Sequence, residues 1–100
     1  MRVVLHPAAE AELQSAVQYY EERQVGLGLE FAEEVYATLA RIEEHPEAWS
    51  RVSANTRRCL LHRFPFGVIY QVRLDGLHII AIAHLHRRPG YWKERLDNGG

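Results

Sequence analysis

The apolar residues change their spacing once along this chain, and that change restricts the fold more than any other feature. Up to Pro46 they recur at helical intervals, and beyond a polar stretch from Ser50 to Thr56 they follow a strand-like pattern. Leu13, Ala16, Val17 and Tyr20 draw one stripe and predict a helix from Pro7 to about Gln24. Proline suits the first turn, where its missing amide would have had no partner. Gly26 and Gly28 then supply permissive backbone for a tight reversal. Leu27, Phe31, Val35, Leu39 and Ile42 step by 4, 4, 4 and 3, which predicts a second helix over Leu27 to Glu44. Pro46 stops it. So short a loop pairs the two helices antiparallel, with Glu30, Glu33, Glu34, Glu43 and Glu44 off the apolar stripe.

The remaining segments read as strands. Arg2 to Leu5 is short and β-branched, and Arg57 to Arg63, Gly67 to Leu74 and Leu77 to His86 follow later. Phe64-Pro65-Phe66 turns between the first two of these three, and Asp75-Gly76 is a two-residue hairpin signal. Ile79 to Ala83 is apolar on both faces, so this strand needs cover on both sides. Pro89 opens a short C-terminal helix through Tyr91, Trp92 and Arg95. The order β-α-α-β-β-β defines an α+β fold: an antiparallel helical hairpin packed on one face of a small, mostly antiparallel sheet. One domain over residues 1–100 is expected, since a chain of this size hides roughly two-thirds of its unfolded surface. Cys59 is the only cysteine, which excludes an internal disulfide and suits a reducing compartment. Val3-Val4-Leu5 is too short for a signal core and no run is long enough to span a bilayer, so a cytoplasmic protein without a membrane partner is expected.

A net charge of −1 conceals a division. Residues 1–50 carry three arginines against ten glutamates, a balance of −7; residues 51–100 carry eight arginines and Lys93 against three acids, a balance of +6. Such asymmetry suggests an acidic or nucleic-acid partner for the basic half, although the two halves could equally neutralise each other within the fold. Eleven arginines to one lysine favours the rigid fork that grips phosphate or carboxylate.

In an up-and-down meander, the ends of the first and last of the three later strands share one rim of the sheet. That rim collects His62, Arg63, Phe64 and Phe66 beside His84, His86, Arg87 and Arg88, with Tyr91 and Trp92 close behind. Several of these residues also have plainer readings. His84 and His86 share a strand face at a spacing that could hold zinc, but no carboxylate or thiolate stands nearby in sequence, so neither metal nor other cofactor is expected. Their default role is that of hydrogen-bonded strand-end residues or of contacts for a partner. Cys59 reads as a small buried hydrophobe, Trp49 and Trp92 as packing anchors, and the glutamate-rich helical face as a solvated one. Tyr20 should face the sheet and Tyr19 the rim.

The segment Ala83-His84-Leu85-His86-Arg87-Arg88-Pro89-Gly90-Tyr91-Trp92 resembles the C-terminal signature of RelE/ParE superfamily toxins, in which a strand ends in His and Arg before a Pro and a Tyr-Trp pair. Phe64-Pro65-Phe66 resembles that family's strand entry; Ala9, Glu12, Tyr19-Tyr20, Gly28, Phe31 and Glu34 resemble its helical hairpin. The resemblance implies a toxin of a type II toxin–antitoxin module, silenced by a cognate antitoxin that reaches operator DNA while the toxin does so only through it. ParE-like members poison DNA gyrase, and RelE-like members cut mRNA on the ribosome without metal.

As a nuclease, the chain would use His62, His84, His86, Arg87 and Tyr91 for proton transfer and charge stabilisation. Arg58, Arg63, Arg87, Arg88, Trp92 and Arg95 would bind the target or its phosphates, and Tyr19, Arg57 and Arg73 the antitoxin. A pI near 6.6 and a sheet without lysine lean toward the ParE side, as does the His-Leu-His-Arg-Arg-Pro ending.

Overall fold

The computed structural model describes residues 1–96. Its elements are β1 (Val3–Leu5), α1 (Pro7–Arg23), α2 (Leu27–Glu44), β2 (Ser50–Arg51), β3 (Arg57–Leu60), β4 (Phe66–Arg73) and β5 (Gly76–His84), followed by a 3-10 turn at Lys93–Arg95. The sheet runs β1-β5-β4-β3-β2. All neighbours are antiparallel except β1 and β5, which the helical hairpin allows to run the same way.

Local chemistry starts and turns the helices where the sequence indicates. His6 caps α1, its Nδ1 accepting the Ala8 N–H at 3.0 Å, and Pro7 follows in the first turn. At the far end the Glu21 carboxylate accepts the N–H of Gly26 at 3.0 Å and of Gly28 at 3.0 Å, joining the last turn of α1 to the first of α2. The helices approach so closely there that a Cβ on Gly28 would lie 2.6 Å from the Val17 carbonyl oxygen.

The hairpin covers one face of the sheet. Phe31, Val35 and Ile42 of α2 and Leu13 of α1 pack on Val68, Tyr70, Leu77, Ile79 and Ile82. On the other face Ile69, Ile80, Ala81 and Ala83 are roofed by Trp92, with Tyr91, Leu96 and Val52 beside it. β5 is therefore covered on both sides, as its apolar centre requires. A bulge alters which residues face which side: Ile69 pairs with Ala81 but Tyr70 with Ile79, leaving Ile80 as the extra residue. Ile80 and Ala81 consequently join the same cluster despite being neighbours.

Four details differ from the sequence expectation. The polar stretch after Pro46 contains the two-residue edge strand β2, its return closed by Val52 N–H to the Thr56 carbonyl at 2.9 Å. β3 ends at Leu60 rather than Arg63, because the Glu34 carboxylate takes the amides of His62 and Arg63 away from the ladder. Across the last hairpin Arg73 pairs with Gly76, so Leu74 and Asp75 form the turn and Gly76 opens β5. Its φ of 141° and a would-be Cβ 2.3 Å from the Arg2 carbonyl oxygen admit only glycine there. Lastly, β5 ends at His84, and the expected short C-terminal helix is a single 3-10 turn.

Two substitutions test this packing. Gly28→Ala should destabilise the fold by about 1–3 kcal/mol through overpacking, read as a fall in Tm of about 4 °C or more. Tyr70, whose hydroxyl donates to the Pro46 carbonyl at 2.6 Å, has its pKa pushed by burial from 10.0 to about 12. Because the folded value is raised, this contribution is complete below pH 10 and is lost as pH climbs toward about 12. Stability measured by denaturant should fall across that alkaline window, and Tyr70→Phe should make the fall shallower.

Candidate functional site

A cleft of about 690 Å³ opens between α1 and the end of β5. Its floor is apolar, from Ala16, Tyr20, Phe66 and Ile82, and its lip carries Arg23, His84 and Arg87. Both guanidiniums lie on tyrosine faces: Arg23 is 3.8 Å above the centroid of the Tyr19 ring, and Arg87 is 3.9 Å above that of Tyr91. Neither makes an ion pair with a carboxylate among the described residues. The His84 ring packs edge-on against Phe66 and against His86, each at 5.0 Å between centroids. His86 donates its amide N–H to His84 Nδ1 at 3.1 Å, so the other ring nitrogen, Nε2, carries the proton of the neutral imidazole.

Behind the cleft stands a carboxylate. Glu12 projects from α1 and accepts the Tyr91 hydroxyl at 2.6 Å, both terminal nitrogens of Arg95 at 2.8 Å, and the Ile82 amide at 3.0 Å. Glu12 and Arg95 each keep only 17% of their side-chain surface exposed, so this forked pair is shielded from water. Burial and then the bond to Glu12 raise the Tyr91 pKa above the ordinary tyrosine range, so its phenol stays neutral. The bond to Glu12 raises that of Arg95. By fixing Tyr91, Glu12 also fixes the surface on which Arg87 rests.

The structure divides the rim expected from the sequence. Tyr19, His84, His86, Arg87 and Tyr91 gather at or beside the cleft. His62 and Arg63 turn toward α2 instead. His62 Nε2 accepts from Arg41 at 2.8 Å, and Arg63 pairs with Glu30 at 2.7 Å. Glu34 is the cause, since its hold on the two amides bends the chain as it leaves β3. Trp92, considered for target binding, is 4% exposed and packs under the sheet, and Arg95 is committed to Glu12.

Arg88 is exposed just beyond the cleft, and Arg58 is exposed on the sheet face away from the hairpin. Arg57 donates to the Trp49 carbonyl at 2.8 Å and the Glu47 carbonyl at 3.1 Å. Arg73 contacts Gln71 and His78 at the end of β4 remote from the cleft. Among the described residues no three His, Cys, Asp or Glu side chains are grouped to hold a metal ion, and no helix is long and apolar enough to cross a membrane.

Sequence reasoning missed Arg23 and the role of Glu12. Both had a signal. Arg23 stands four residues after Tyr19, the helical spacing that lets side chains meet, and Glu12 is a carboxylate set between Ala9, Leu13 and Ala16 on the apolar stripe.

Comparison with known proteins agrees with this architecture. The family model described as the ParE toxin of the type II toxin-antitoxin system, parDE, matches residues 3–89. The chain belongs to the ParE toxin family. Among solved structures it is similar to a chain of the chromosomal ParDE toxin–antitoxin system from P. aeruginosa, at 19% identity and a TM-score of 0.73, covering 86% of this chain and 97% of that one. At that identity the likeness establishes the shared fold. No curated protein matches.

The Glu12 cluster is open to a direct test. Glu12→Gln strips the partner from a shielded guanidinium and should cost about 3–5 kcal/mol, whereas Tyr91→Phe, losing one hydrogen bond, should cost about 1 kcal/mol. Denaturant midpoints of the two variants would separate these values, and equal losses would mean that the charge on Glu12 is not what matters.

Proposed function

We propose that this chain is the growth-inhibiting toxin of its module, that it binds and poisons DNA gyrase, and that the cognate antitoxin silences it by covering the cationic cleft. The observation that carries the reading is the pair of guanidiniums, Arg23 and Arg87, spread flat on tyrosine rings above an apolar floor. Arginines held in this way lose little freedom when they meet an acidic partner, so they favour binding over chemistry. Operator DNA is reached through the antitoxin alone. Tyr19 and Arg87 border the cleft the antitoxin would cover, and Arg58 and Arg88 remain exposed for contacts to the target.

The alternative, ribosome-dependent mRNA cleavage, draws less support from the geometry. It needs several groups poised around one phosphate. Tyr91 has its hydroxyl on Glu12 with a raised pKa, His62 faces Arg41, and Arg63 faces Glu30.

A supercoiling assay with purified gyrase separates the two readings. The toxin should inhibit at near-stoichiometric amounts and added antitoxin should restore activity. The double variant Arg23→Glu with Arg87→Glu should weaken inhibition about tenfold or more, the equivalent of about 1.4 kcal/mol. Untouched supercoiling at excess toxin, together with ribosome-dependent cuts in mRNA, would overturn the gyrase reading.

A further inference from the structure

α2 carries two apolar stripes, and the sheet uses only one. Phe31, Val35, Leu39 and Ile42 are buried on the inner side. On the outer side Leu29, Ala32, Tyr36 and Ala40 recur at helical spacing, with Leu29 64% and Tyr36 59% exposed. Isolated surface apolar residues need no explanation, but a continuous stripe does. This one borders a second groove, of about 700 Å³, between α1 and α2 and floored by Leu5, Leu13, Val17 and Ala32.

The rim of this groove is acidic. Glu10, Glu21 and Glu22 line it, and among the described residues none of them meets a cation. Two other glutamates of the hairpin differ in this respect: Glu12 and Glu30 hold Arg95 and Arg63. Around the axis of α1, the residues of this groove (Gln14, Val17, Glu21) lie opposite those of the cationic cleft (Ala16, Tyr19, Arg23). One helix thus separates two concave apolar surfaces of opposite charge.

We infer that this second groove is a docking site for an amphipathic helix with an apolar face and lysine or arginine flanks, carried by a partner protein. Apolar residues repeating along a helix–helix groove fit a helical ligand that presents anchors at matching intervals. The charged rim selects its sign. A second copy of this chain does not fit. Presenting the same face would set glutamates against glutamates, and both of its helices lie in the acidic half, its basic half being built of strands and loops. Anionic lipid and nucleic acid are repelled by the same rim. The inference stands apart from the gyrase reading, which concerns the other side of α1.

Two synthetic helices of about 18 residues, or five turns, test it on the intact protein. One carries leucines on one face and lysines on the other; its twin replaces every lysine with glutamate. Amide shifts in NMR titrations should place the lysine peptide at Leu13, Val17, Leu29 and Tyr36, with an affinity that falls as salt is raised. The glutamate twin should bind there at least about tenfold more weakly. The double variant Leu29→Ser with Tyr36→Ser, confined to exposed positions, should keep the wild-type Tm while losing about tenfold in affinity for the lysine peptide. Equal binding of both peptides at the groove, lysine-peptide shifts elsewhere, or unchanged affinity of the double variant would each overturn the proposal.

Discussion

Among the described residues, Glu12 is the one acidic side chain that joins its own helix both to β5 and to the segment after it. It leaves α1 on the apolar stripe, where a carboxylate is costly unless every lone pair is used. Here a backbone amide of β5, a phenol and a forked guanidinium use them. The Arg95 guanidinium reaches onward to the Ile80 carbonyl at 3.2 Å, beside the bulge that breaks the regular ladder. Satisfying these polar groups keeps the segment after β5 against the sheet, and Trp92 stays over the second core. That closure in turn decides where Tyr91 lies and which way Arg87 points. The architecture of the cleft thus descends from one shielded charge.

β5 bears the other constraint. It pairs with β1 on one side and β4 on the other, and both of its faces are buried. A strand in regular alternation would give Ile80 and Ala81 to opposite clusters; the bulge lets both serve the face under Trp92 while Ile79 and Ile82 serve the helices. The charge asymmetry of the sequence survives in this arrangement in a sorted form. Some glutamates of the hairpin cross to arginines of the second half, as Glu30 does to Arg63 and Glu12 to Arg95, and others remain on the wet side.

The elements written in local periodicity were legible in the sequence. Both helices of the hairpin begin and end within a residue or so of where Pro7, the glycines and Pro46 place them. What escaped was decided by groups distant in sequence. Nothing between Arg57 and Arg63 signals that the strand will stop at Leu60, because the carboxylate responsible, Glu34, lies 28 residues before His62. Asp75-Gly76 announced a hairpin correctly but not its register, which depends on the approach of the Arg2 carbonyl to Gly76. The cleft was half visible: topology brought His84 and Arg87 to a strand end, while His62 and Arg63 left that rim under the pull of α2. In the sequence Glu12 stands out only through family resemblance, since its partners 79 and 83 positions away cannot be inferred from spacing.

The parallel pairing of β1 with β5 ties Val3 to Leu77, so β1 has no neighbour until β5 has been made. Contacts spanning such separations form late, because a long loop must close before they contribute. While the chain emerges, the hairpin can gather as a local helical pair, but its inner stripe has no complete sheet to cover it. The cleft is assembled later still, from α1 and from residues that follow β5. A nascent chain therefore lacks this cleft until Arg87 and Tyr91 have been made, and any partner that recognises it meets the sheet already in place.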